Sequence, residues 1–228
     1  MGGMGTAGKG ANRVIALTGR PLRRIVALGA HCDDIAIGAG GTLLALCSAN
    51  PGITVDTLVL SGGGGEREAE ELAALTAFCG GATLNLTVLK LPDGRLPAHW
   101  DEAKSAVEEL RARTEPDLVL APHGGDAHQD HRGLAQLVPT VFRDHLVFGY
   151  EIVKWDGDLT TPTAYQPLTA ELAEEKIRLL QQHYPSQRHR PWYDREAFLG
   201  LARIRGIECQ RRYAEGFHVR KLVVDLEG

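Results

Sequence analysis

The chain has 228 residues, 43% hydrophobic and 24% charged, with 25 basic against 29 acidic side chains and a net charge of −4. That length supports one well-buried core and is short for two independent domains, and the composition excludes a fibre or a disordered polymer. The acidic balance argues against nucleic acid as a partner, and no apolar run reaches the roughly 18 residues that cross a bilayer, so no membrane is expected.

Residues 1–22 read as a flexible leader ahead of a single catalytic domain over 23–228. The opening Met1-Gly2-Gly3 matches the N-myristoylation pattern, with Thr6 at the right offset, but a Gly-rich leader gives the same letters and is the reading preferred. Arg24 to Ala30 predicts a buried strand and Ile35 to Asn50 a helix stopped by Asn50-Pro51-Gly52. Thr54 to Ser61 is a second strand running into the glycines 62–65, and Glu66 to Phe78 a second helix. Leu84 to Leu91, Asp117 to Ala121 and His145 to Val153 continue the strands. Trp100 to Thr114 and Asp130 to Val138 supply helices between them. A Thr/Pro-rich loop follows, then helices over Leu168 to Tyr184 and Glu196 to Gly206, and a closing strand over Phe217 to Val224. This alternation predicts an α/β, Rossmann-like fold: a mostly parallel sheet with helices on both faces. Ligand sites in such sheets lie at the carboxyl ends of the strands, near a reversal of strand order.

Two clusters fall at those ends. His31-Cys32-Asp33-Asp34 follows the first strand and His128-Gln129-Asp130-His131 the fourth. His31 and Asp34 are three apart, as are His128 and His131, so each pair can share one side of a helical turn. Aspartates at a helix start also serve as caps, and either cluster alone is modest evidence. Together they offer the set that zinc takes in hydrolases, three protein ligands with one position open: His31, Asp34 and one of the two later histidines. Cobalt(II) or iron(II) would accept the same donors. Cys32, Cys47, Cys79 and Cys209 form no CxxC pair; they read as separate reduced thiols, which points to the cytoplasm.

On Ala30-His31-Cys32-Asp33-Asp34, His128-Gln129-Asp130-His131, Lys176, Ser186-Gln187 and Tyr213-Ala214-Glu215-Gly216-Phe217, the chain resembles the LmbE-like, or PIG-L, family of zinc-dependent N-acetylglucosaminide deacetylases. The resemblance spans roughly residues 24 to 218. It implies one Zn2+ per chain on His31, Asp34 and His131, with Asp33 as general base. His128, when protonated, would stabilise the oxyanion or protonate the leaving amine. Asp130 is expected to fix the tautomer of His128, and Arg67 to contact substrate as the family's arginine at the next helix start does. An exposed arginine paired with Glu70 or Glu71 is the competing reading of Arg67.

The family's prolines are replaced by Cys32 and Gln129, which removes φ restraint but no ligand. His183, Gln187, Arg188, Trp192 and Tyr193 are candidates for a sugar-binding wall, and Glu151, Lys154 and Trp155 for further substrate contacts. Glu215 and His218 read as structural. The glycines at 62–65 lack the Gly-Lys-Ser/Thr ending of a P-loop, and no Gly-x-Gly-x-x-Gly follows the first strand, so nucleotide-cofactor binding is not expected. The implied substrate is a small amino-sugar conjugate; a different metal-dependent amide or ester hydrolase, or a non-catalytic sugar binder, are the rival readings. A homo-oligomer is compatible with the sequence.

Overall fold

A computed structural model describes residues 21–224, so the glycine-rich opening and its acylation pattern lie outside the described residues. Seven strands run in chain order as β1 (Arg24–Gly29), β2 (Thr54–Val59), β3 (Thr83–Val88), β4 (Leu118–Pro122), β5 (Val147–Tyr150), β6 (Ala164–Leu168) and β7 (Tyr213–His218). Six helices connect them: α1 (Asp34–Ala49), α2 (Glu66–Phe78), α3 (Trp100–Ala112), α4 (Gln129–Val141), α5 (Ala170–His183) and α6 (Arg195–Glu208). The strand order is β3-β2-β1-β4-β5-β7-β6. The first five strands pair in parallel, and β7 is antiparallel to both β5 and β6. From β1 the chain winds outward through β2 and β3, then crosses back to place β4 on the other flank of β1. The switch point therefore lies between β1 and β4, where the two predicted clusters emerge.

β1 shows why both faces need cover. Ile25 and Ala27 enter a core with α1, α2, α5 and α6, whereas Val26 and Leu28 enter a second core with α3 and α4. Such a strand reads as a continuous apolar run instead of an alternating one.

Two expectations are corrected. The Thr/Pro-rich segment contains β6, an edge strand that tolerates Pro167 because an edge position can leave its missing N–H unpaired. The closing strand is Tyr213–His218, buried despite its Glu and Gly, whereas Leu222, Val223 and Val224 are exposed.

One long-range contact ties the C-terminal part to α1. Glu215 of β7 accepts hydrogen bonds from the backbone N–H groups of Gly41 (2.8 Å) and Thr42 (2.7 Å), and from the Thr42 hydroxyl (2.5 Å). Lys176 of α5 donates to Glu215 (2.7 Å) and to the Ile37 carbonyl (2.6 Å). Ile37 C=O and Gly41 N–H are the two ends of one helical rung, so the ion pair is built into the hydrogen-bond ladder of α1.

Candidate active site

At Asp33 the chain turns from β1 into α1 with φ at 107°, a left-handed conformation that costs a non-glycine residue about 1–3 kcal/mol. Three contacts hold it there. Its N–H donates to Glu71 Oε2 (2.8 Å), its carbonyl accepts from Ile37 N (2.9 Å), and its carboxylate accepts from Arg67 Nη2 (2.8 Å). Glu71 is fully buried and also accepts from the Tyr184 hydroxyl (2.7 Å). Asp34 closes the turn from the other side: its Oδ2 accepts from Ala30 N (2.9 Å) and His31 N (2.8 Å).

Across the switch point, β4 ends at Pro122 and the chain passes through Gly124-Gly125 to Asp126. Asp126 Oδ1 accepts from His128 N (2.7 Å), which sets the start of α4 and turns His131 back toward β1. His31 Nδ1 and His131 Nε2 approach to 3.1 Å. Asp34 presents Oδ1 at 3.3 Å from His131 Nε2 and Oδ2 at 3.5 Å from His31 Nδ1.

The outer nitrogens of both imidazoles face carboxylates: His31 Nε2 lies 2.9 Å from Asp93 and 3.2 Å from Asp130, and His131 Nδ1 lies 2.9 Å from Asp126. Those carboxylates assign the ring protons outward, as outer partners of metal-binding histidines do. The inward nitrogens of both rings and the Asp34 carboxylate, whose two oxygens each face one ring, then lie together, an arrangement that offers donors to a cation. Zinc bonds of about 2.0–2.1 Å in a tetrahedral set put ligand atoms about 3.3 Å apart, close to the spacings seen here. His128 joins the same cluster, its ring centroid 4.8 Å from that of His31 and 4.7 Å from that of His131. Ligand atoms of His31, His128 and His131 all lie within 4.8 Å of one another.

The electrostatics follow. Burial pushes the Asp34 carboxyl up, but His131 and His31 outweigh it and hold the group well below the usual carboxylate range. Burial lowers His131, yet Asp34 and Asp126 together raise it to about 9. Asp33 is raised to about 6 by burial and partly restrained by Arg67. Burial, then the neighbouring His131 and His31, lower His128.

These groups line a cavity of about 350 Å³ that also holds Arg67, Lys154, Trp155, Arg190 and Trp192. Arg67 lines the cavity, donates to Asp33 and Ser186 (2.7 Å), and forms the anticipated pair with Glu70 (2.8 Å) while being only partly exposed. Three candidates stand elsewhere. Asp130 is buried and directs its carboxylate to His31, Gly94 N (2.7 Å) and Leu96 N (3.1 Å), so it neither faces substrate nor orients His128, whose Nδ1 instead accepts from Asp130 N (3.3 Å). Glu151 is buried in a two-bond pair with Arg205 (2.6 and 2.8 Å), away from the cavity. His183 ends α5 and does not line it.

The glycine loop is no phosphate cradle, since Gly63 N–H goes to Leu89 O (2.9 Å) and Gly64 N–H to Glu68. Gly62, at φ 101°, sits against Cys32: a Cβ there would lie 2.7 Å from its sulfur. Asp93 was not singled out from sequence; Asp126 was noted only as flanking the two later histidines, and Glu71 only as a possible partner of Arg67. Asp126 carried a signal, two residues before His128 at a strand end, and Glu71 sits one helical turn beyond Arg67.

An α/β sheet with a His/Asp cluster at its switch point, opening into a polar cavity, defines a candidate metal-binding active site, and the family match makes it a hydrolase- or deacetylase-type enzyme. The chain belongs to the PIG-L family, described as GlcNAc-PI de-N-acetylase, whose profile matches residues 26–142, just over half of its length. It is 27% identical over 172 residues to the uncharacterized deacetylase YaiS of Escherichia coli K12, covering 70% of this chain and 89% of that one. The N,N'-diacetylchitobiose deacetylase of Pyrococcus horikoshii shares the fold with a TM-score of 0.68 at 19% identity, over 87% of this chain and 84% of that one. GalB, the 4-carboxy-2-hydroxymuconate hydratase of Pseudomonas putida KT2440, shares it at 0.73 and 16%, over 89% and 98%. The last pair shows that this architecture alone does not fix the reaction.

Proposed function

We propose that the protein is a zinc-dependent N-deacetylase that hydrolyses the acetamide of an N-acetylated amino sugar carried on a larger group, releasing acetate and the free amine. The observation that carries this reading is the convergence of His31 Nδ1, His131 Nε2 and Asp34 at 3.1–3.5 Å, with Asp33 and His128 beside them on one cavity. His31, Asp34 and His131 would hold the ion. When bound, it supplies Lewis acidity, polarising the amide carbonyl and lowering the pKa of a water toward neutrality.

Asp33, with a pKa raised to about 6, is deprotonated at neutral pH and takes the proton as the water attacks. It then returns that proton to the leaving nitrogen. His128 accepts at Nδ1 from a backbone N–H, so its neutral form presents Nε2–H; it donates that hydrogen to the developing oxyanion without having to be protonated. Arg67 holds Asp33 in line and offers a donor to substrate hydroxyls.

A second reading exchanges one ligand and gives up the His128 donor to the oxyanion: His128 completes a three-histidine set with His31 and His131, as ligand atoms within 4.8 Å of one another favour. Zinc content separates the two, because Asp34→Ala loses the metal under the first and His128→Ala loses it under the second. The reaction itself is tested by mass spectrometry of zinc-loaded protein against N-acetylglucosamine, its nucleotide-diphosphate form and a series of its glycosides. Loss of one acetyl group, abolished in Asp33→Ala, is the expected result; no loss from any member, with zinc bound stoichiometrically, would overturn the assignment of the acyl group or the sugar.

A further inference from the structure

A second cavity of about 310 Å³ lies beside the carboxyl end of β4 and along β5, and shares no lining residue with the active-site cavity. Its apolar wall comes from α4 and β5, including Val138, Pro139, Phe142 and Val147. A flat side is formed by His123 and His218, whose rings stack at 4.4 Å and 19°. The rim carries Arg143, Arg220 and Lys221, and no aspartate or glutamate lines the cavity. In a chain of net charge −4 this is a local reversal of sign. Among the described residues none of the three rim cations forms an ion pair, though Arg143 Nε donates to the Thr140 carbonyl (2.9 Å) and Lys221 Nζ to the Arg143 carbonyl, whereas the active-site cavity is lined by Asp33, Asp34, Asp93 and Asp156. An apolar pocket of this size with a few convergent polar groups is the usual form of a small-molecule site. The uniform sign of its rim selects the charge of the ligand.

We propose that this cavity is a second binding site, for a small molecule that carries an anionic head on an apolar body. The head, whether carboxylate, sulfonate or phosphate, is met by Arg143, Arg220 and Lys221, and the body lies against Phe142, Val138 and the imidazole stack. The site adjoins the metal centre through one chain segment: Pro122, His123 and Gly124 line it, and the same segment continues to Asp126 and His128.

Fluorescence titration of the full chain with anilinonaphthalenesulfonate tests the assignment. One saturable dye site per chain is expected, emptied by decanoate but not by decylamine of the same length. Arg143→Glu with Arg220→Glu is expected to weaken the dye by about tenfold or more, since two charges facing a partly desolvated head are reversed. The milder Arg143→Ala with Arg220→Ala, checked by circular dichroism and melting, separates loss of charge from loss of fold. Trp155→Ala, at the rim of the other cavity, is expected to leave binding unchanged. Equal affinity in the charge-reversed and unaltered chains, equal displacement by the amine, abolition by Trp155→Ala, or no saturable binding up to millimolar dye would each overturn the proposal.

Discussion

Asp33 joins a strained backbone to a carboxyl group poised near neutrality, and the two have different supports. The charge is tuned by Arg67 and the backbone is held by Glu71. Asp33→Asn should retain zinc by elemental analysis and lose about 10²–10⁴-fold in kcat, the usual range for removing a general base. In the unaltered protein kcat/KM should rise as pH increases through about 6, because the base works only when deprotonated. Arg67→Met removes the charge that restrains this pKa, so the acid limb of the profile should move to higher pH. Glu71 behaves in the opposite sense. Burial raises its carboxyl to about 8 from an ordinary 4.5, the Tyr184 and Asp33 hydrogen bonds only partly offsetting this. The neutral form favours folding, fully below about pH 4.5, and that contribution is lost as pH rises toward 8. Glu71→Gln keeps an acceptor for both donors. Its melting temperature should match the unaltered protein near pH 4.5 and exceed it near pH 8.

At the scale of elements, α1 is packed against β5 more closely than side chains allow. A Cβ on Gly38 would lie 2.1 Å from the Tyr150 ring, whose hydroxyl is fixed to the Leu28 carbonyl at 2.6 Å. Gly38→Ala would gain about 1 kcal/mol of helix propensity, but the clash costs about 1–3 kcal/mol or more, so a net fall in stability by urea titration is expected. The elements legible in the sequence were those with a long apolar period or clear stops: β1, α1 and α2 fall within a residue or so of their expected bounds, because Gly29-Ala30, Asn50-Pro51 and Gly80-Gly81 punctuate them. β6 was not legible, since Ala164 to Leu168 carries a proline and no alternation, and only the antiparallel partner β7 makes it a strand. β7 was displaced toward Leu222 and Val224 for the complementary reason: an apolar run outweighs a buried strand whose glutamate is satisfied from α1 and α5. The candidate metal cluster was readable because its residues lie in two short runs. Asp93 and Glu71 were not, because their roles arise from contacts 62 and 38 residues away in sequence.

For the molecule as a whole, the proposed metal is expected to contribute to folding. A cation bound only by the folded chain stabilises it by about 2.7 kcal/mol at a hundred times its dissociation constant, or roughly 5–10 °C in melting temperature for a chain of this size. Chelation should therefore lower Tm by that order in a scanning calorimeter. On the proposed ligand set the gap should narrow as pH falls from about 9, where protons begin to compete for the His131 nitrogen.

The Lys176–Glu215 pair bears on how such a protein can be divided. The family profile stops at residue 142, yet the helix that begins with Asp34 has part of its backbone hydrogen bonding supplied by side chains on α5 and β7. The part matched by the profile is thus not a cassette that can be lifted out and given a new substrate wall. A chimera that takes residues after about 160 from a relative must bring a lysine and a glutamate of matching reach, or leave Gly41 and Thr42 short of an acceptor inside the core. In this chain the reach of Lys176 and Glu215 marks where such cuts can fall.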